Sequence, residues 1–142
     1  MLQNYLRDTI KHIDKGISFI RYKKQRMDAM ERLIDGGYHL THGQISFTRE
    51  LWDHIGGFQP WRCGADTDFC HKAEKSKGFK HKRLENRAYM LYRETHTQLT
   101  SAPSTGMASA YRKTRQDQIE RTRREKTWYP GVPLMSEAVR IK

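Results

Sequence analysis

Glycines at positions 16, 36, 37, 56 and 78 close the helical segments that can be read along the first 78 residues of this chain. The elements between these stops are short. They leave a mixed arrangement of brief helices and strands. Leu2, Tyr5, Leu6, Ile10 and Ile13 recur at helical spacing and Gly16 closes that helix. Ile20, Met27, Met30 and Ile34 predict a second helix ended by Gly36 and Gly37. Residues 38–47, "YHLTHGQISF", read as a strand. Thr48 then caps a short helix whose inner face is Leu51, Trp52 and Ile55, and Gly56 suits the left-handed position after it. Residues 58–65 read as a loop, and a further helix starts near Asp66 and ends at Gly78. "FKHKRLE" and "RAYMLYR" read as strands around a turn at Asn86. A loop, "TQLTSAPS", leads to a last helix from near Ser104. The order is helix, helix, strand, helix, helix, strand, strand, helix. This is an α/β chain with few strands flanked by helices, closer to part of a sheet than to a whole one.

The chain has 142 residues, enough for one domain with a modest core. Lys and Arg number 27 against 16 acids, a net charge of +11, which favours an anionic partner such as nucleic acid, phospholipid or a phosphate-bearing small molecule. The basic segment 111–126 reads first as a solvated helix face. No RNP motif, zinc finger or helix-turn-helix accompanies it, and Tyr111 and Trp128 are too sparse for a base-stacking track. That segment also lacks the apolar face of an interfacial helix. Nucleic-acid binding therefore rests on charge alone. Two cysteines and no secretory leader favour a reducing, cytoplasmic setting. No apolar run approaches the ~20 residues that span a bilayer.

The stretch "GGFQPWRCGADTDFCHKA", residues 57–74, concentrates the chemistry. Cys63, Cys70 and His71, with His42 or His54, are candidate zinc ligands by type. Their spacing matches no standard pair, and Cys70 and His71 point in different directions on a helix, so no metal site is assigned. Asp66 and Asp68 suit a helix N-terminus, where acids oppose the dipole. Gly64 lets backbone approach a ligand closely, and Trp61 offers a flat apolar face of the kind that stacks on sugar rings. A carboxylate beside such a face can accept a proton from a sugar hydroxyl.

The run "GQISFTRELWDHIGGFQPWRCGADTDFCHKA" resembles the acceptor-side half of the family 2 glycosyltransferases of the GT-A fold. Those enzymes carry F-x-R-E, a short helix, G-G-F and then an acidic E-D-x-D motif opening a helix. "YRETHTQLT" is similar to their Y-R-x-H-x-x-S-L-T segment, and Thr105, Gly106, Ser109 and Arg112 are similar to the opening of the helix that follows. The resemblance covers about residues 40–125. It implies a partial GT-A-like fold and an inverting sugar transfer with Asp66 as catalytic base. Asp68 would bind acceptor hydroxyls or fix the local geometry. Arg93 and His96 would belong to a loop closing near the donor diphosphate.

Two departures qualify the carry-over. Ala65 stands where the family has Glu, and no earlier D-x-D or nucleotide-binding strands precede residue 40. The expectation is three parts: two amphipathic helices over 1–39, the glycosyltransferase-like half over 40–126 and an extended arm over 127–142, broken by Pro130, Gly131 and Pro133. The implied partners are a nucleotide-sugar, a glycan or other hydroxyl acceptor, and a second chain or a further copy supplying the donor-binding half. A divalent cation, Mn or Mg, would arrive with the nucleotide-sugar. The alternatives are a non-catalytic interaction module derived from such an enzyme and, third, a basic nucleic-acid-binding protein.

Overall fold

The computed structural model describes residues 2–95, 102–104 and 106–125. Helix α1 (Leu2–Asp14) leads into strand β1 (Ile17–Met27), which turns back into β2 (Leu33–Phe47). Helices α2 (Arg49–Ile55) and α3 (Ala65–Lys75) follow, then strands β3 (Lys80–Leu84) and β4 (Met90–Arg93), and helix α4 (Ala110–Glu125). The strands form one four-stranded mixed sheet centred on β1. β2 pairs antiparallel along one side of β1. On the other side β3 runs parallel to the first part of β1, with Ile17 opposite Lys80 and Tyr22 opposite Leu84. β4 runs parallel to its second part, with Lys24 opposite Met90 and Met27 opposite Arg93.

The expected second helix does not exist: Ile20 and Met27 lie in β1, Met30 in a turn and Ile34 in β2. "ISFIRY" carries β-branched and aromatic residues, and Phe19 to Tyr22 are all buried. A strand covered on both faces shows no alternation, so its apolar residues fall by chance at helical intervals. The turn is made by Asp28, whose carboxylate accepts hydrogen bonds from the backbone N–H of Met30 and Arg32 and from Arg32 Nε. Asp residues build turns in this way by replacing a backbone acceptor. Residues 1–39 are therefore not a separate pair of helices, because β1 is the centre of the same sheet. Gly36 and Gly37 lie inside β2. The two later strands exist, but they do not pair with each other; both lie on β1.

Adjacent residues of a strand face opposite ways, and β1 divides the core accordingly. Phe19 packs with Leu51, Ile55, Phe69, Cys70 and Ala73 of α2 and α3. Ile20 and Tyr22 pack with Leu84, Tyr89 and Tyr5 of α1. The short helix forms as its sequence dictates: Thr48 Oγ1 accepts from Leu51 N–H, and Gly56 takes φ 90°. Helix α3 begins at Ala65 behind Gly64, which holds φ 83°. Helix α4 starts at Ala110, later than expected, where Ser109 Oγ accepts from Arg112 N–H. The arm 127–142 lies outside the described residues.

Candidate functional site

Helix α3 returns the chain from β2 to β3, and β3 runs parallel to β1. The helix therefore runs against β1, and its N-terminus meets the carboxyl end of the parallel strands. That end is where α/β sheets bind ligands. Asp66, in the first turn of α3, is half-buried there, and its Oδ1 accepts from Thr67 N–H at 2.8 Å. Its negative charge bears on Lys24 of β1 and His42 of β2. Burial holds the Lys24 ammonium below its ordinary range and Arg26 adds to this, while Glu94 and Asp66 oppose it. Lys24 Nζ lies 4.2 Å from the Tyr92 ring centre, and Arg26 is ion-paired with Glu94. The second half of β1 and the end of β4 thus carry a row of charged side chains, of which Lys24 bears on Asp66.

One histidine, His42, feels this carboxylate, and a second, His71, lies beside it. The His42 and His71 rings are 6.1 Å apart, and His42 Nδ1 lies 3.5 Å from Thr67 Oγ1. Burial pushes both imidazoles below their ordinary range; Arg21 adds to the effect on His42, and Arg123 and His42 to that on His71. Both are neutral at neutral pH. The Cys70 thiol donates to the His42 carbonyl at 3.6 Å, and burial pushes its pKa up to about 12. It is an inert thiol rather than a nucleophile. Among the described residues, no three His, Cys, Asp or Glu side chains gather in a way that could hold a metal.

The other sequence-expected site residues lie elsewhere or turn inward. Asp68 is ion-paired with Lys72 at 2.8 Å, with side chains only 4% and 5% exposed. Burial raises the Asp68 pKa, and Lys72 opposes the rise. Trp61 is buried, and its ring is covered by the Arg115 guanidinium 5.1 Å from the ring centre. A Cβ at Gly64 would meet Arg115 Cβ at 3.5 Å and Ile119 Cδ1 at 3.8 Å. The close approach that Gly64 permits is therefore to α4, not to a ligand. Arg93, at the end of β4, is ion-paired with Glu31 of the β1–β2 turn. His96 lies outside the described residues.

Of the expected residues, Asp66 is placed beside Lys24 and His42, which were not anticipated, while Arg93 at the end of β4 is committed to Glu31. The signal for Lys24 was hidden by the helical reading of 17–34. Read as a strand, "ISFIRYKKQRM" passes from apolar to basic at Lys23, just after the continuous buried run Phe19 to Tyr22. No protein-family model matches the chain, and no curated protein matches it.

Proposed function

We propose that this chain is the acceptor-binding and catalytic-base portion of an inverting glycosyl transfer from a nucleotide-sugar. The observation that carries the reading is the place of Asp66: a half-buried carboxylate on the first turn of a helix at the carboxyl ends of parallel strands, beside Lys24 and His42. In the proposed step the carboxylate takes the proton of an acceptor hydroxyl. That oxygen bonds to the anomeric carbon as the bond to the diphosphate breaks on the opposite side, and the electron pair leaves with the diphosphate. Lys24 supplies positive charge at the same strand ends, where an anion is stabilised. The described residues offer no ligand set for the divalent cation that the resemblance implies, so no step is routed through one.

The reading excludes two residues from contact with sugar: Trp61, covered by Arg115, and Asp68, bound to Lys72. These internal commitments also favour the second reading, an interaction module that keeps the fold without the reaction.

The test is product formation, followed by mass spectrometry, from a panel of nucleotide-sugars and saccharide acceptors. It is run with the purified chain alone and with an extract that supplies a donor-binding chain. Asp66→Asn is expected to lower the rate about 10²–10⁴-fold. It keeps an acceptor for Thr67 N–H, so the melting temperature stays close to the parent's. Full activity in the folded Asn variant removes the base assignment. No product with either preparation leaves the interaction-module reading.

A further inference from the structure

Strand β2 loses its regular register where it passes α3. Arg21 of β1 pairs with Ile45 and Lys23 with Leu40, so Tyr22 alone stands against residues 41–44. A strand with surplus residues bulges and re-aims its side chains, and here His42 is turned onto α3. Three residues of the helix receive it. Thr67 Oγ1 lies 3.5 Å from His42 Nδ1, and the Cys70 thiol donates to the His42 carbonyl at 3.6 Å. The His71 ring stands 6.1 Å from the His42 ring, centre to centre. Positions 67, 70 and 71 are three and four apart and share one face of the helix. Both imidazoles are half-buried. The seam between β2 and α3 is thus closed over a pair of histidines, and the proposed proton transfer uses neither.

The surroundings of the pair are rich in positive charge. Arg21 and Lys24 of β1 act on His42, and Arg123 of α4 and Arg21 act on His71. The opposing acids are on α3: Asp66 and Glu74 for His42, and Glu74 for His71. Glu74 is already shared between Arg21 and Arg83, and Arg123 is ion-paired with Glu120 of its own helix. Neutral rings fit this setting. Two imidazolium ions would add like charge to it where water screens only in part.

We infer that His42 and His71 form an acid-sensitive latch between β2 and α3: as neutral rings they let the seam close, and as imidazolium ions they push it open. Asp66 immediately precedes Thr67 on the first turn of α3, so opening carries it away from Lys24 and His42. The latch stands whether or not Asp66 acts as a base, and it is read without any reaction. Burial holds both imidazoles below the ordinary 6.5 in the closed state. The contribution of the pair is therefore complete above 6.5 and is lost as pH falls, because the open seam takes up protons first. An imidazole that titrates one pH unit low favours opening about tenfold once pH lies beneath both values.

The experiment is hydrogen exchange of the full chain at about pH 7 and about pH 5, read by peptide mass spectrometry as protection relative to each peptide's intrinsic rate. Peptides covering residues 40–47 and 65–72 are expected to lose protection about tenfold in acid. The double variant His42→Gln/His71→Gln is expected to keep the same protection at both values. A parent with equal protection at both overturns the inference, and so does a double variant that still responds. Acid loosening confined to residues 2–14 also overturns it and assigns the response to His12 of α1, another imidazole held low by burial. Should the double variant not fold, a proton NMR titration of the parent decides. Two rings titrating below 6.5 with mutually dependent curves support the latch, and independent titration of all the histidines at about 6.5 removes it.

Discussion

Beneath α2 and α3 the sheet is covered by rings packed on one another, whereas beneath α1 it is covered by tyrosines whose hydroxyls are tied to named partners. On the first face Phe69 stands with Phe47 and Phe58 at 4.9 Å between ring centres and Trp52 at 5.8 Å. On the second, Tyr22 bonds Ser46 and Thr9, and Tyr89 bonds Asp8. Packed rings stabilise by the area they remove from water and by their edge and face contacts. Hydroxyl pairs contribute less net energy, because water offered the same bonds before folding. Yet they are directional, and here they decide which side of α1 faces inward. The lesson is a division of labour: one face supplies most of the stability, and the other sets the orientation of a helix whose apolar residues are kept outside.

The sharpest way to break this comparison is Phe69→Ala, which empties the centre of the first face. We expect a loss of about 3–5 kcal/mol in denaturant unfolding. A loss no larger than that of a hydroxyl deletion on the other face would erase the distinction. Next comes Lys72→Ala, which leaves the buried Asp68 carboxyl without its ammonium and costs about 1–3 kcal/mol at neutral pH. The sign of its pH dependence follows from Asp68. Burial raises the folded pKa of this carboxyl above its ordinary 3.8. The stability it contributes is fully present below the ordinary value and falls as pH rises, because the unfolded chain ionises first. The variant is thus less damaged in acid than at neutral pH, as melts at both values will show.

Alkali separates the faces more finely. The Cys70 thiol is pushed up from 9.0 to about 12 on the first face, and the Tyr89 hydroxyl from 10.0 to about 12 on the second. Both groups keep the protein fully stable below their ordinary values and lose that contribution as pH climbs to about 12. The first decline, between pH 9 and 10, belongs to Cys70, and a flat melting temperature over that window in Cys70→Ala would confirm the assignment. Tyr22→Phe removes the bonds to Ser46 and Thr9 and costs about 1 kcal/mol. The smallest effect is expected from Leu6→Glu, within about 0.5 kcal/mol of the parent, because the side chain is exposed. A larger loss would mean that the outer stripe of α1 is part of the core.

How much of this was legible in the sequence depended on whether local chemistry decided the element. Helix α2 was legible because Thr48 and Gly56 bracket it with side-chain and backbone caps that act within one turn. Helix α3 was legible from its acids, although its cap is Gly64 rather than Asp66. β1 was not, because a strand flanked on both edges and covered on both faces has no alternation to read, and its turn depends on one carboxylate, Asp28. The candidate site divided in the same way. Asp66 follows from its position in the helix. Lys24 and His42 reach it from strands whose register is set by pairing across the sheet, which no local pattern records. Trp61 was misjudged because its partner, Arg115, arrives from a helix far along the chain.

The placement of β1 also bears on how the chain is made. On the ribosome β1 and β2 emerge before the other strands of the sheet, and the Asp28 turn can join them at once. The strands that close the other edge of β1 are translated only after α2 and α3. Until Arg93 has left the exit tunnel, the central strand carries an open edge next to Phe19, Ile20 and Tyr22, a template for pairing with a neighbouring nascent chain. Truncations that stop before β3 will therefore collect in inclusion bodies, and slow translation across residues 76–93 will prolong the interval in which a chaperone must shield that edge.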